Sequence, residues 1–441
     1  MSQVTIRNGR VIDPASGLDE KTDVVIANGR VVRIGRVSRP DGDTYRADDC
    51  IVCPGLIDPH VHLREPGQEE KETIASGSAA AVEGGFTSIC CMPNTEPALD
   101  DDPQIEFIYR QAARADLCNV YPVGAITKGR AGESLAEIGL MARSGAVAFS
   151  DDGVAVADVN LMAAALRYVA GTGRAIMQHC QDPSLTPGSV MNAGPLATRL
   201  GLAGWPAVAE ELIIERDVLL NRSIGCRYHA QHLSAAGSVE IIRRAREAGQ
   251  PVTAEVSPHH LLLTEDACRS FDTNAKMNPP LRTRSDIEAL LQGVRDGVIT
   301  VLATDHAPHT REEKEVEFAA AAFGIIGLEC ALPLYVEALI ASETIDWPAM
   351  LGMMTHHPAD LCSLSRKGRL GQDLDADLTI IDPNEKWTID VGAFRSRSRN
   401  CPFHGRAVTA RAVATVVGGS FKLNRDRDRF SRLDGPGEVA N

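Results

Sequence analysis

The sequence predicts an α/β protein: a (β/α)8 TIM-type barrel with a small β-sandwich domain formed by the N- and C-terminal segments. Three observations carry this prediction. From Ile51 onward, apolar runs of four to seven residues alternate eight times with helix-length amphipathic stretches. The first fifty residues are instead short Val and Ile runs, punctuated twice by Asn-Gly. Beyond about residue 365 the β-type patterning returns.

Taken in order, Asn8-Gly9 and Asn28-Gly29 each predict a tight hairpin, because Asn and Gly tolerate the positive φ that such turns need. Barrel strands are expected near 51–57, 87–91, 119–124, 145–149, 174–179, 226–232, 251–256 and 299–304. Helical stretches fall at 102–116, 158–170, 206–221, 238–248, 285–296 and 328–341. Eight alternations in about 300 residues favour a closed parallel barrel over an open doubly wound sheet, whose GxGxxG fingerprint is missing after the first strand. ADLTIID, ARAVATVV and the Gly418-Gly419 turn then supply late strands. The expected boundaries are 1–53 and 363–423 for the two parts of the sandwich and 54–362 for the barrel. Residues 424–441, charged and rich in Arg, Asp, Gly and Pro, read as a flexible tail.

Composition narrows the functions. The 441 residues are 44% hydrophobic and 24% charged, ample for a large core. A net charge of −14 opposes attraction to phosphate backbones and anionic lipid, so neither nucleic acid nor a membrane is an expected partner. The start has no basic segment followed by an apolar core, and no apolar run reaches about 18 residues, which predicts a cytoplasmic protein. The 11 cysteines are scattered, and fit reduced thiols better than a disulfide framework. Cys50 and Cys53, inside a strand-like run, read as small hydrophobes, and Cys180 as a packed thiol.

The chemistry lies where polar residues meet the predicted strand ends. His60 and His62, two apart on extended chain, point to one side. Asn94 follows the second strand, Asp151 and Asp152 the fourth; His179 and His232 end the fifth and sixth, and Asp305 follows the eighth. A barrel gathers all these ends on the face where the fold places active sites. Imidazole and carboxylate are the ligands that catalytic zinc accepts. Four His and two Asp exceed one tetrahedral site, which suggests two metals sharing a carboxylate. Spacing alone does not choose between Asp151 and Asp152.

PGLIDPHVHLREPG, GGFTSICCMPNTEPALD, AFSDDG, HHLLLTE, KMNPPLR, ATDHAPHTREEK and FGIIGLE together resemble the bacterial class I dihydroorotases of the amidohydrolase superfamily, over nearly the whole chain. The resemblance implies Zn2+, two per chain, held by His60, His62, Asp152, His179, His232 and Asp305, with Asp152 bridging. It implies that Arg64, Asn94 and His309 hold a substrate carboxylate, with His62 beside the substrate and Asn278, Phe323 and Gly324 touching its ring. A planar guanidinium can grip a carboxylate through two parallel hydrogen bonds, which agrees with a role for Arg64. The implied reaction is the reversible cyclisation of N-carbamoyl-L-aspartate to L-dihydroorotate in pyrimidine synthesis, with Asp305 as the proton shuttle.

The resemblance gives His259 and His260 no metal and leaves them to support or packing, and His356 and His357 read as structural. The stretch from His306 to Glu317 reads as a mobile lid. Many relatives in the superfamily bridge their metals with a carboxylated lysine, but Gly145 to Phe149 holds no lysine, so Asp152 is expected to serve instead. Gln181 stands where many dihydroorotases carry an acid. The rivals are a hydantoinase or allantoinase, whose uncharged ring would give Arg64 nothing to bind, and an inactive homologue serving aspartate carbamoyltransferase, which should have lost ligands. A homodimer is expected, and an active enzyme could still form a complex with aspartate carbamoyltransferase.

Overall fold

Nine strands contributed by the two ends of the chain share one sheet. The computed structural model describes residues 3–431. Val4–Asp13, Leu18–Ala27, Arg30–Ile34, Asp43–Arg46 and Ile51–Pro54 come from the N-terminal end. Leu378–Thr388, Ala407–Val417, Ser420–Asn424 and Phe430–Ser431 come from the other. The seam is an antiparallel pairing of Ile51–Pro54 with Leu378–Thr388, in which Leu378 faces Pro54 and Ile381 faces Ile51. Val11, Tyr45, Val52, Leu378 and Val416 pack its own apolar core.

Only one of the two early Asn-Gly pairs makes a hairpin. Asn28 and Gly29 both take positive φ, at 54° and 73°, and turn Leu18–Ala27 into Arg30–Ile34. Asn8-Gly9 instead lies within Val4–Asp13, where the register shifts between Ile6 and Gly9 and Asn8 has φ 62°. This is a bulge, and glycine is required there: a Cβ on Gly9 would lie 2.5 Å from Val52 Cγ2. The Gly418-Gly419 turn falls where the sequence places it. Residues 424–431, expected to begin a tail, are built in: Phe430–Ser431 pairs with Asp43–Arg46, and Phe430 stacks edge-on against Phe421. Residues 432–441 of that expected tail lie outside the described residues.

The first strand expected at 51–57 is two strands. Ile51–Pro54 belongs to the terminal sheet, and Leu56–Val61 opens the parallel series. Gly55 separates them because its backbone packs against Thr87, whose Oγ1 would lie 2.0 Å from a Cβ there. Leu56–Val61, Phe86–Cys91 and Asn119–Pro122 form a three-stranded parallel sheet. Ala148–Phe149, Ala175–Gln178, Arg227–Ala230, Val252–Val256 and Val301–Leu302 form a five-stranded one. Parallel bridges join the two sheets at both edges, Gly124 with Phe149 and Val61 with His306.

The helices between these strands begin where the sequence provides caps. Asp101 caps Asp102–Ala115 and Thr73 caps Ile74–Gly84, each side chain accepting from the backbone N–H three residues on. All 11 cysteines are buried and unpaired, as the reduced-thiol reading expects. Among the described residues no helix is long and apolar enough to cross a membrane.

Candidate metal and substrate site

The parallel strands deliver the polar residues to one cluster. His60 lies in Leu56–Val61 and His62 just past it, their ring centroids 5.4 Å apart. Asp58 ties this strand to the eighth, its buried carboxylate accepting from His60 N at 3.0 Å and Thr304 N at 3.2 Å. His60 Nε2 lies 3.3 Å from Asp152 Oδ1 and 3.5 Å from Asp305 Oδ1. His62 Nε2 lies 3.1 Å from Asp305 Oδ1 and 3.4 Å from Asp152 Oδ2. In a second group, His179 Nδ1 is 2.8 Å from His232 Nε2 and 3.6 Å from Asp152 Oδ1, and His232 Nε2 is 3.9 Å from that same oxygen. Asp152 therefore stands between two histidine pairs.

Outer partners fix which ring nitrogen faces inward. His60 Nδ1 meets Glu255 Oε1 at 2.5 Å, and His62 Nδ1 meets Asn94 Oδ1 at 2.8 Å. Each acceptor demands a donor, so both rings carry a proton on Nδ1 and present Nε2 to the carboxylates. His179 is reversed: its Nε2 donates to Gln181 Oε1 at 3.0 Å, which leaves Nδ1 free. Glu255 was missed by sequence reasoning because it sits mid-strand in VTAEV. A lone acid in an apolar parallel strand was the available signal.

The electrostatics call for positive charge. Burial alone would lift the carboxyls of Asp152 and Asp305, yet the imidazoles around them hold both below the ordinary carboxylate range. Burial and neighbouring His179 push His232 down to about 3, so it stays neutral. Asp152 Oδ1 is buried without a hydrogen bond, and the His179 and His232 nitrogens 2.8 Å apart need a proton or a cation between them. Tetrahedral ligands at zinc distances of about 2.0–2.1 Å stand roughly 3.3 Å from one another. Five of the six nitrogen–oxygen separations, 3.1 to 3.6 Å, match that spacing, and the sixth, His232 Nε2 to Asp152 Oδ1, is longer at 3.9 Å.

Above the cluster opens a cavity of about 250 Å3, lined by every predicted site residue except His60, which lies buried beneath it. Arg64 Nε donates to Pro308 O at 3.1 Å, and one terminal nitrogen donates to His309 Nε2 at 3.3 Å. Burial brings its guanidinium down to about 10, still charged at neutral pH. His309 Nδ1 meets Glu313 Oε2 at 3.0 Å, and burial beside Arg64 lowers the imidazole to about 3. Asn94 gives its oxygen to His62, which leaves its amide nitrogen as the donor group. Asn278 Nδ2 donates to Gln181 Oε1 at 3.1 Å, while its Oδ1 has no partner. Arg64, His232 and Asp305 all have positive φ, at 61°, 32° and 47°, so three site residues occupy strained backbone.

The remaining candidates separate cleanly. Asp151 turns away and accepts from Ile126 N at 2.8 Å and Thr127 N at 3.0 Å, closing the loop after the third parallel strand. His260 Nε2 donates to Pro279 O, and His259 stacks beside it outside the cavity lining. His357 bonds Thr300 O. Lys71 pairs with Glu313 and Lys128 with Glu137, so neither stands at the cluster. In the 306–317 stretch, Arg311–Lys314 forms one capped helical turn, and Lys314 Nζ donates to Ala322 O and Gly324 O.

Strand ends bearing four imidazoles and two carboxylates around a small polar cavity define a metal-dependent hydrolase of the amidohydrolase type. An L-hydantoinase (dihydropyrimidinase) from Arthrobacter aurescens superposes with a TM-score of 0.86 at 25% identity, covering 98% of each chain. A D-hydantoinase from Bacillus sp. AR9 shares the fold, with a TM-score of 0.84 at 24% identity over 96% of this chain and 95% of its own. The family model described as Dihydro-orotase-like matches residues 49–238. A dihydroorotase of Syntrophotalea carbinolica is 49% identical over 418 residues, 95% of this chain and 98% of its own. One of Pelotomaculum thermopropionicum is 47% identical over 431 residues, 98% of this chain and all of its own. The chain belongs to the dihydroorotase family, and it is a cyclic-amide hydrolase.

Proposed function

We propose that the chain catalyses the reversible, zinc-dependent cyclisation of N-carbamoyl-L-aspartate to L-dihydroorotate, the reaction that gives its relatives their name. The observation that carries the substrate is Arg64. A buried, charged guanidinium beside His309 and the metal cluster is costly unless an anion meets it, and dihydroorotate brings a carboxylate where hydantoin brings none.

The donor set fits two zinc ions. His60, His62 and Asp305 would hold one and His179 and His232 the other, with Asp152 shared between them. When bound, the metals supply Lewis acidity, polarising the ring carbonyl and acidifying water. The chain does the rest. Arg64, Asn94 and His309 anchor the carboxylate, and Asn278 with the backbone of Phe323 and Gly324 orients the ring. Asp305, as a carboxylate, takes the proton of the attacking water. It passes that proton to the ring nitrogen as the ring carbon–nitrogen bond breaks. In the biosynthetic direction the same carboxylate takes a proton from the ureido nitrogen.

This reading includes a closed (β/α)8 barrel, supported by the two edge bridges, and a sandwich domain built from the terminal sheet. A cytoplasmic homodimer goes with it, with aspartate carbamoyltransferase as a compatible partner. The test compares rates on dihydroorotate, hydantoin and allantoin with the zinc-loaded protein. Dihydroorotate is expected to dominate, and hydantoin or allantoin turning over as fast would overturn the assignment.

A further inference from the structure

Asn400 lies far beyond the parallel strands in sequence, yet its side chain joins two backbone segments at the cavity. Oδ1 accepts from His309 N at 3.1 Å, while Nδ2 donates to Ala307 O at 2.9 Å and to Gly324 O at 3.0 Å. Its own carbonyl accepts from Ile326 N at 3.0 Å. The residue is 3% exposed, so all of this takes place out of water, where each bond is expensive to lose. Through its side-chain amide and its own carbonyl, one residue thus holds 307–309 against 324–326.

A buried Asn is often no more than a filler of stray backbone groups. Two observations separate this one from that role. The gap it spans is tight: Gly324 has φ 152°, and a Cβ there would lie 2.6 Å from Ala307 O and 2.7 Å from His309 Cδ2. The Gly324 backbone and the His309 ring are therefore in contact, and a small slip of either segment changes the cavity wall.

The second observation is the anchorage of the segment that carries Asn400. Glu329 accepts from Arg395 N at 2.7 Å and Ser396 N at 3.0 Å, and Glu72 accepts from Ser396 Oγ at 2.5 Å and Arg397 N at 3.2 Å. Cys401 and Phe403 pack with Ile326 and Leu334. On the far side, Lys276 Nζ donates to the carbonyls of Phe318, Ala319 and Ala321, which fixes the approach to Phe323. Two buried carboxylates and a buried lysine converge on the placement of one short stretch of cavity wall.

We propose that Asn400 is a positioning residue for substrate, setting the distance between His309 and the Phe323–Gly324 backbone. This rests on the reading of those groups as substrate contacts. They hold the substrate rather than the reacting atoms, so the loss should fall on KM and spare kcat. The test uses zinc-loaded wild type, N400L, N400D, H309A and the double variant N400L/H309A, with dihydroorotate as substrate. N400L is expected to raise KM about tenfold or more with kcat within about threefold. N400D keeps the acceptor for His309 N but loses both donors, so it should raise KM as well, and it serves if N400L fails to fold. In the H309A background the N400L effect on KM should shrink below about threefold, because part of what Asn400 places is gone. Unchanged KM in a folded Asn400 variant of an active enzyme overturns the proposal. So does an equal effect in both backgrounds accompanied by a lower melting temperature, the mark of a purely structural role. Wild type inactive on dihydroorotate would instead defeat the underlying functional reading.

Discussion

Replacing Glu255 by Gln should loosen the metals without touching the substrate contacts. The carboxylate accepts from His60 Nδ1 at 2.5 Å, from His229 Nε2 at 3.0 Å and from His232 N at 3.2 Å, all fully buried. Burial would raise this carboxyl, but His60 and His229 bring it down to about 2, so it is ionised throughout the working range. Glutamine is nearly isosteric and keeps one acceptor oxygen. It loses the charge that holds the His60 proton on Nδ1 and makes Nε2 a better ligand, and its amide nitrogen must face His60 or His229 as an unwanted donor. Outer partners of this kind are typically worth about 10- to 100-fold in metal affinity, or roughly 1.4 to 2.7 kcal/mol. Zinc affinity measured by chelator competition should fall by that factor in E255Q, with KM at saturating zinc changed less than about threefold. Unaltered affinity in a folded variant would refute the argument that Glu255 orients His60.

D305N should lower turnover by about a hundredfold or more, as expected when a general acid–base group is lost. Zinc content is measured on the same sample, and normal turnover with normal zinc would exclude the shuttle. R64M should raise KM for dihydroorotate far more than for an analogue lacking the carboxylate; equal losses would assign Arg64 to the fold. Burial lifts the Glu329 carboxyl to about 7 despite the hydrogen bonds from Arg395 and Ser396. Its folded value exceeds the ordinary 4.5, so its contribution to stability is full below about 4.5 and is lost as pH rises through about 7. E329Q lacks that dependence, and its stability relative to wild type should climb by about 1–3 kcal/mol between about pH 5 and pH 8. A difference that stays flat across this range would show that Glu329 is ionised in the folded protein.

Much of the site was legible because its chemistry is local in sequence. His60 and His62 stand two apart at the end of one strand, and the other candidate ligands follow later strand ends that apolar patterning reveals. Asp152 and Asp151 were not separable by spacing, since the choice depends on which carboxylate the backbone N–H groups of Ile126 and Thr127 capture. Glu255 was hidden because burial of a charge is decided by partners from other strands. Asn400 was invisible for the same reason: its partners lie 76 to 93 residues away. In the fold, Asn8-Gly9 misled because the same φ preference suits a bulge as well as a turn. The run 51–57 looked like one strand because nothing apolar marks the hand-over at Gly55 from one sheet to the other.

Activity titrated against zinc in bicarbonate-free buffer bears most directly on the shared role of Asp152. Metal-stripped protein should recover activity in proportion to zinc and level off at about two ions per chain, with no need for a carbamate because Asp152 is a native carboxylate. Full activity at one ion per chain, or recovery only when bicarbonate is added, would contradict a pair of metals bridged by Asp152.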